Sequence, residues 1–183
     1  NSLDMAVNGV GMFITADPDD NGITFTRDGS FLIDNTGLLT TTDKRAVLND
    51  NGQPIVIPPV RTDAEGRESL IDVIGIDNRG SIKVTYGDGA IVDIGNVGLA
   101  RFGSIAGLKP VGGAHFVATE KSGPPIVGVA MEQNYGQIVQ GHLEASNAIV
   151  TEELMKLMRA QQAYSGSSRL LQSAVEMSKR LTG

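Results

Sequence analysis

The sequence predicts a mainly β fold: an antiparallel β-rich domain of short hairpin-linked strands followed by one long C-terminal α-helix. Three observations lead there. Apolar residues in the first 143 positions recur in runs too short for a helix. Asn-Gly, Asp-Gly and Asn-x-Gly signals separate those runs and supply the positive φ that hairpin turns need. After Thr151 the spacing of apolar residues changes from two to a helical period.

Taken in order, residues 12–15, 23–26, 31–33, 55–57, 71–74 and 82–85 read as strands, rich in Ile, Val, Phe and Thr. Turns fall at Asn21-Gly22, Asp28-Gly29, Asn51-Gly52 and Asp88-Gly89, and at the triplets ending in Gly37 and Gly80. Pro54, Pro58 and Pro59 bracket residues 55–57, which marks an edge strand or a single crossing segment. Residues 58–68 are polar and read as a loop, and Pro124-Pro125 ends the β region. Residues 136–143 alternate again and lead back toward the helix.

Thr151 is an N-cap residue, Glu152 and Glu153 stand in the first turn, and Lys179 and Arg180 in the last, an order that suits the helix dipole. Steps of three and four give Leu154, Leu157, Gln161, Tyr164, Ser168, Leu171, Val175 and Ser178, an apolar seam with polar gaps. Met155, Met158, Leu170, Met177 and Leu181 broaden it beyond what one neighbouring helix would cover. A helix over 151–181 would extend about 46 Å, with a weak point at Ser165-Gly166-Ser167-Ser168. Its packing partners are expected from other chains; folding back onto the β domain is the alternative.

Composition narrows the function. With no Trp and 4% aromatic residues, there is little from which to build a base-stacking platform or an aromatic-lined pocket. A net charge of −6 argues against nucleic acid and anionic membrane as partners. Residues 151–183 carry five Lys/Arg and three Glu, net +2, which leaves −8 for residues 1–150. The absence of Cys excludes disulfides, thiolate catalysis and Cys-based zinc sites. No apolar run reaches a membrane-spanning length and no Sec-type leader stands at the start, so export would use another route or a removed leader.

Chemistry is sparsely represented. Asp17, Asp19, Asn21 and Asp28 follow the D-x-D-x-N-G order of a calcium loop. The flanking runs read as strands rather than helices, and the twelfth position is Asp rather than Glu. An extracellular calcium-binding β module using these four residues is the alternative function. His115 and His142 stand apart, without metal-pair or triad spacing, and read as surface or turn histidines. Gly9-Val10-Gly11 and Gly87-Asp88-Gly89 lack the third glycine and following helix of a phosphate loop. No acid/base pair emerges, so no enzyme, no catalytic residue, no cofactor and no metal is assigned.

The wording of the sequence adds a sharper indication. Residues 3–7 with Gly9-Val10-Gly11-Met12-Phe13, the turn Thr26-Arg27-Asp28-Gly29, residues 98–102, Ser122-Gly123-Pro124-Pro125, residues 141–147 and Ala160-Gln161-Gln162-Ala163-Tyr164 together resemble the bacterial flagellar rod and hook protein family. The resemblance implies a β-rich outer domain over 1–143, a connector over 144–150, and an amphipathic polymerisation helix over 151–183 that lines the inside of a tube. Leu154, Leu157, Met158, Gln161, Tyr164, Leu171 and Val175 would then be the polymerisation residues. The resemblance further implies an axial structural subunit of the flagellar basal body, in the periplasmic rod. Its partners would be copies of itself, neighbouring rod and hook subunits, and the flagellar type III export apparatus. Length favours a rod subunit, and the distal type is the preferred reading; a proximal rod subunit and a small, extracellular hook protein are the near alternatives. The family's amino-terminal helical segment has no counterpart ahead of Asn1, so the helix at 151–183 is expected to lack its intramolecular partner, by truncation or loss.

Overall fold

A computed structural model describes residues 3–17, 22–132 and 134–141. The strands in chain order are β1 (Met5–Asn8), β2 (Met12–Ala16), β3 (Ile23–Thr26), β4 (Phe31–Ile33), β5 (Leu39–Thr41), β6 (Ala46–Val47), β7 (Val60–Thr62), β8 (Glu68–Ile76), β9 (Ser81–Tyr86), β10 (Ile91–Asn96), β11 (Leu99–Arg101), β12 (Lys109–Gly112), β13 (His115–Val117), β14 (Ile126–Gly128) and β15 (Gln137–Gln140). Every strand pairing among the described residues is antiparallel.

The strands form three sheets. Nine lie in one, ordered β12-β13-β3-β2-β6-β5-β4, with β11 pairing both β2 and β14. Four more make the sheet β10-β9-β8-β7, and β1 pairs with β15. β2 is the central strand: β3 covers one edge, and β11 and β6 share the other. All five of its residues are buried. Because side chains alternate across a strand, β2 serves two cores. Phe13 joins a cluster with Met5, Phe31, Ile82, Leu99 and Ile138, while Met12, Ile14 and Ala16 join one with Phe25, Leu48 and Ala100. Edge-to-face ring pairs reinforce both, Phe13 with Phe31 at 5.0 Å and Phe25 with Phe102 at 4.8 Å between centroids.

One turn design recurs between strands. Asp34, Asn49, Asp63 and Asp77 each accept, through Oδ1, the backbone N–H groups two and four residues on. The glycine three residues on, Gly37, Gly52, Gly66 or Gly80, takes positive φ and donates its N–H back to the Asp or Asn carbonyl. This is a three-residue hairpin connection in which the side chain supplies what the backbone leaves unpaired. Hydrogen bonding lowers the carboxyl pKa at two of these positions, chiefly from the Thr36 hydroxyl at Asp34 and from the Arg67 N–H at Asp63.

Several expectations need correction. The class is β alone among the described residues, whose one helical turn is the 3₁₀ turn Ile105–Gly107. The long C-terminal α-helix is therefore not supported. Its warrants, period and end signals, are local, and an amphipathic helix takes most of its stability from packing rather than from pattern. Residues 151–183 lie outside the described residues. Residues 58–68 are not a plain loop: β7 pairs with β8 around the Asp63 turn. The β region also continues past Pro124-Pro125, into β14 and β15. Residues 55–57 cross once between β5 and β6, as their prolines require: the Ile55 carbonyl receives the Leu39 N–H, and the Ile55 N–H donates to Val47. The chain divides into two compact units, residues 1–144 and 145–183, and the described residues all belong to the first.

Candidate functional site

The feature that organises the described unit is the meeting of its two ends. Along β1 and β15, Met5 faces Gln140, Ala6 faces Val139, Val7 faces Ile138 and Asn8 faces Gln137. The Gly141 N–H closes the pair by donating to the Asp4 carbonyl at 2.7 Å. Met5, Val7 and Ile138 are buried, which anchors both strands in the larger core cluster. Gln140 holds the exit to β8: its Oε1 accepts the Ile76 N–H and its Nε2 donates to the Ile74 carbonyl, both at 3.1 Å.

The turn Thr26-Arg27-Asp28-Gly29 is the clasp on this pair. Thr26 is fully buried and its Oγ1 receives the Asp28 N–H at 3.0 Å. Asp28 Oδ1 in turn accepts the Ser30 N–H and hydroxyl, so the turn is tied off internally. Arg27 reaches out to the Gly9 carbonyl at 2.7 Å. Gly29 lies flat on β1: its carbonyl takes the Met5 N–H, and a Cβ there would sit 1.6 Å from the Met5 oxygen. The sequence suggests that this glycine provides positive φ, yet it is absent from the positive-φ glycines; what fixes it is the approach of two backbones. At the other end of the pair Gly9 and Gly136 meet in the same way, with Gly136 donating its N–H to the Val10 carbonyl.

A second polar cluster leaves no mark in the sequence. His115, expected at the surface, is 3% exposed. Its Nε2 lies 3.2 Å from Asp43 Oδ1, and its Nδ1 lies 3.4 Å from the Thr15 hydroxyl, which is itself 2.7 Å from the Thr24 hydroxyl. Arg45 joins through Nε to Asp43 at 3.0 Å and through Nη1 to Asp17 at 2.6 Å. Burial works to raise the Asp43 pKa, but the Thr41 hydroxyl, Arg45 and the His115 charge outweigh it and hold the carboxyl below its usual range. A hydroxyl, an imidazole and a carboxylate in sequence invite comparison with a nucleophilic triad. Thr15 is fully buried, however, and engaged with Thr24, so no substrate can reach it. The cluster is a pin between β2, β3, β13 and the β5–β6 turn.

Two of the four calcium-loop residues, Asp17 and Asp28, stand apart. Asp17 lies beyond the Ala16–Ile23 end of the β2–β3 ladder and Asp28 beyond the Phe13–Thr26 end. That separation is about four strand residues, roughly 13 Å. Asp17 is paired with Arg45, and Asp28 is committed to Ser30. Asp19, Asn21 and His142 lie outside the described residues, as do Leu154, Leu157, Met158, Gln161, Tyr164, Leu171 and Val175.

Comparison with known families matches residues 6–84 to "Flagellar hook protein FlgE/F/G D1 domain" and residues 139–183 to "Flagellar basal body rod FlgEFG protein C-terminal". Among curated relatives, the flagellar basal-body rod protein FlgG of Agrobacterium fabrum is 34% identical over 97% of this chain and 62% of its own length. FlgG of Buchnera aphidicola from Schizaphis graminum is 32% identical over 99% and 64%, and FlgG of Bacillus subtilis 31% over 98% and 64%. The chain thus spans less than two thirds of the length of these relatives.

Proposed function

Because the chain belongs to the flagellar basal-body rod and hook family, we propose that it is a structural subunit of the axial rod, of the kind represented by FlgG. The observation that carries this is the β1–β15 pair, which brings residues 4 and 141 together so that the β unit presents both its chain connections at one place. This arrangement suits a subunit of a tube, whose assembly segment continues from the β unit at that place. The unit itself then projects from the assembly as its outer domain.

Within this reading the chain divides into an outer β domain over 1–143, a connector over 144–150 and an assembly segment over 151–183. Leu154, Leu157, Met158, Gln161, Tyr164, Leu171 and Val175 make contacts with neighbouring copies and with adjoining rod and hook subunits. The protein acts by shape and packing, without catalysis. It travels through the flagellar export apparatus and resides in the periplasmic rod.

The test is incorporation. Cells lacking their own rod subunit of this type, supplied with the full chain, are expected to contain it in isolated basal bodies and to regain swimming. Leu157→Asp or Leu171→Asp should reduce incorporation at least tenfold while the melting temperature of the β unit stays unchanged. Absence of the unaltered chain from basal bodies would refute the proposal, and normal incorporation of both variants would refute the assignment of the assembly segment.

A further inference from the structure

The β7–β10 sheet keeps an apolar face in solvent. Its inward residues, among them Ile76, Ile82, Val84 and Tyr86, join the larger core. Its outward residues Val60, Leu70, Val73 and Ile91 are 38, 69, 56 and 68% exposed. The register makes them one band: Val60 faces Leu70 across β7 and β8, while Val73 and Ile91 both face Thr85 on β9. The bulge at residues 71–73 sets Val73 opposite Thr85. The next outward row carries Lys83 facing Asp93.

A different surface of the same chain is concave and mostly apolar. An open groove of about 330 Å³ runs between the nine-stranded sheet and its turns, lined by Ile14, Ile23, Phe25, Leu48, Pro125 and Val127. Ile23 and Val127 on its walls are each 45% exposed. Asp50 stands on its rim, opposite in sign to the Lys83 that flanks the band. Ile14, Phe25 and Leu48 belong to the smaller core cluster, so band and groove sit over different cores.

We propose that band and groove are the two halves of one contact between successive copies of this chain, the band of one copy seated in the groove of the next with Lys83 beside Asp50. The identity of the partner rests on the axial-subunit reading above; the pairing of the two surfaces rests on their complementarity. Two different patches on one molecule make a head-to-tail contact, which extends into a ring or an open helix instead of closing as a two-fold dimer. The band has four exposed apolar side chains, whereas each partner of a stable pair gives roughly 20–30 residues. The contact is weak between free subunits and gains strength by repetition once the assembly segments hold copies in place.

The chain has no cysteine, so introduced thiols report without background. Ile91→Cys combined with Val127→Cys in the full chain, treated at high concentration with a short bismaleimide, is expected to give a ladder of dimers, trimers and longer species. Each single variant should give at least tenfold less product. Leu70→Asp in the double variant should reduce the ladder at least tenfold without lowering the melting temperature. A dimer from Ile91→Cys alone, as abundant as any product of the double variant, would mean that bands meet face to face and would overturn the proposal. So would monomer only. In isolated basal bodies, incorporation without a 91–127 product would overturn this contact and leave the subunit reading intact. Failure of incorporation would overturn that reading, and the ladder from purified chain would still decide the contact.

Discussion

Gly29→Ala tests the clasp directly. The added methyl would lie 1.6 Å from the Met5 oxygen and 2.7 Å from its carbonyl carbon. Both are backbone atoms, so relief requires β1 to move away. That movement breaks the Met5 N–H bond to the Gly29 carbonyl, worth about 1 kcal/mol. It also lifts Leu3, Met5 and Val7, all buried, partly out of the core. Full burial of such side chains contributes about 1.5–3 kcal/mol each, so a partial loss over three of them costs about 2 kcal/mol more. The expected destabilisation is about 3 kcal/mol, or roughly 10 °C in melting temperature for a domain of this size. Gly89→Ala is the control. Gly89 has φ +81° with nothing within 4 Å of an added Cβ, so it carries only the left-handed penalty of about 1–2 kcal/mol. Calorimetric melting with urea titration measures both, and amide exchange at Met5 and Gly141 locates the damage. A loss at Gly29 no larger than at Gly89, or unchanged exchange at Met5 and Gly141, would refute the clasp.

Two further outcomes are expected. The Asp34, Asp43 and Asp63 carboxyls all sit below their ordinary pKa in the folded unit. Their stabilisation is complete above the unfolded value near 3.8 and disappears as pH falls through the lower folded values. Melting temperature should therefore drop below about pH 4, and Asp34→Asn with Asp63→Asn, which keep the acceptor and remove the charge, should flatten that drop; an equally steep acid slope in the double variant would contradict the assignment. His115→Ala should cost about 2 kcal/mol through a buried void and lost polar partners, read by urea titration, and a cost near zero would show that the pin carries no load.

How much of the fold is legible in the sequence depends on the range of the interaction. Strands β2, β3, β4, β8 and β9 and the glycines of the Asp34, Asn49 and Asp77 turns are readable because alternation and turn chemistry act within a few residues. The return strand β15 is visible as alternation at residues 136–143, but its pairing with β1, 129 to 135 residues earlier in the chain, leaves no local trace. His115 is missed for the same reason: its carboxylate, Asp43, is 72 residues away. Gly29 suggests the wrong constraint, since a turn glycine and a contact glycine look identical until the neighbouring backbone is in place. The stretch 58–68 looks like a loop because two prolines and a polar turn hide the three residues of β7. At the other end, a helical period at residues 151–183 suggests a helix, although period alone leaves packing undetermined.

The pairing of β1 with β15 also has a mechanical meaning. Residues 4 and 141 are neighbours, so traction applied to both connections in the same direction loads the two strands side by side. The resistance is shared along their length, by the Met5–Gly29 and Ile138–Asn78 backbone bonds and by both arms of Gln140, which must all slip together. A force that instead drew residue 4 away from residue 141 would peel the ladder open from Gly141 inward, one bond at a time. A unit whose two connections are pulled together is loaded in the strong direction, and it would come apart first if those connections were separated.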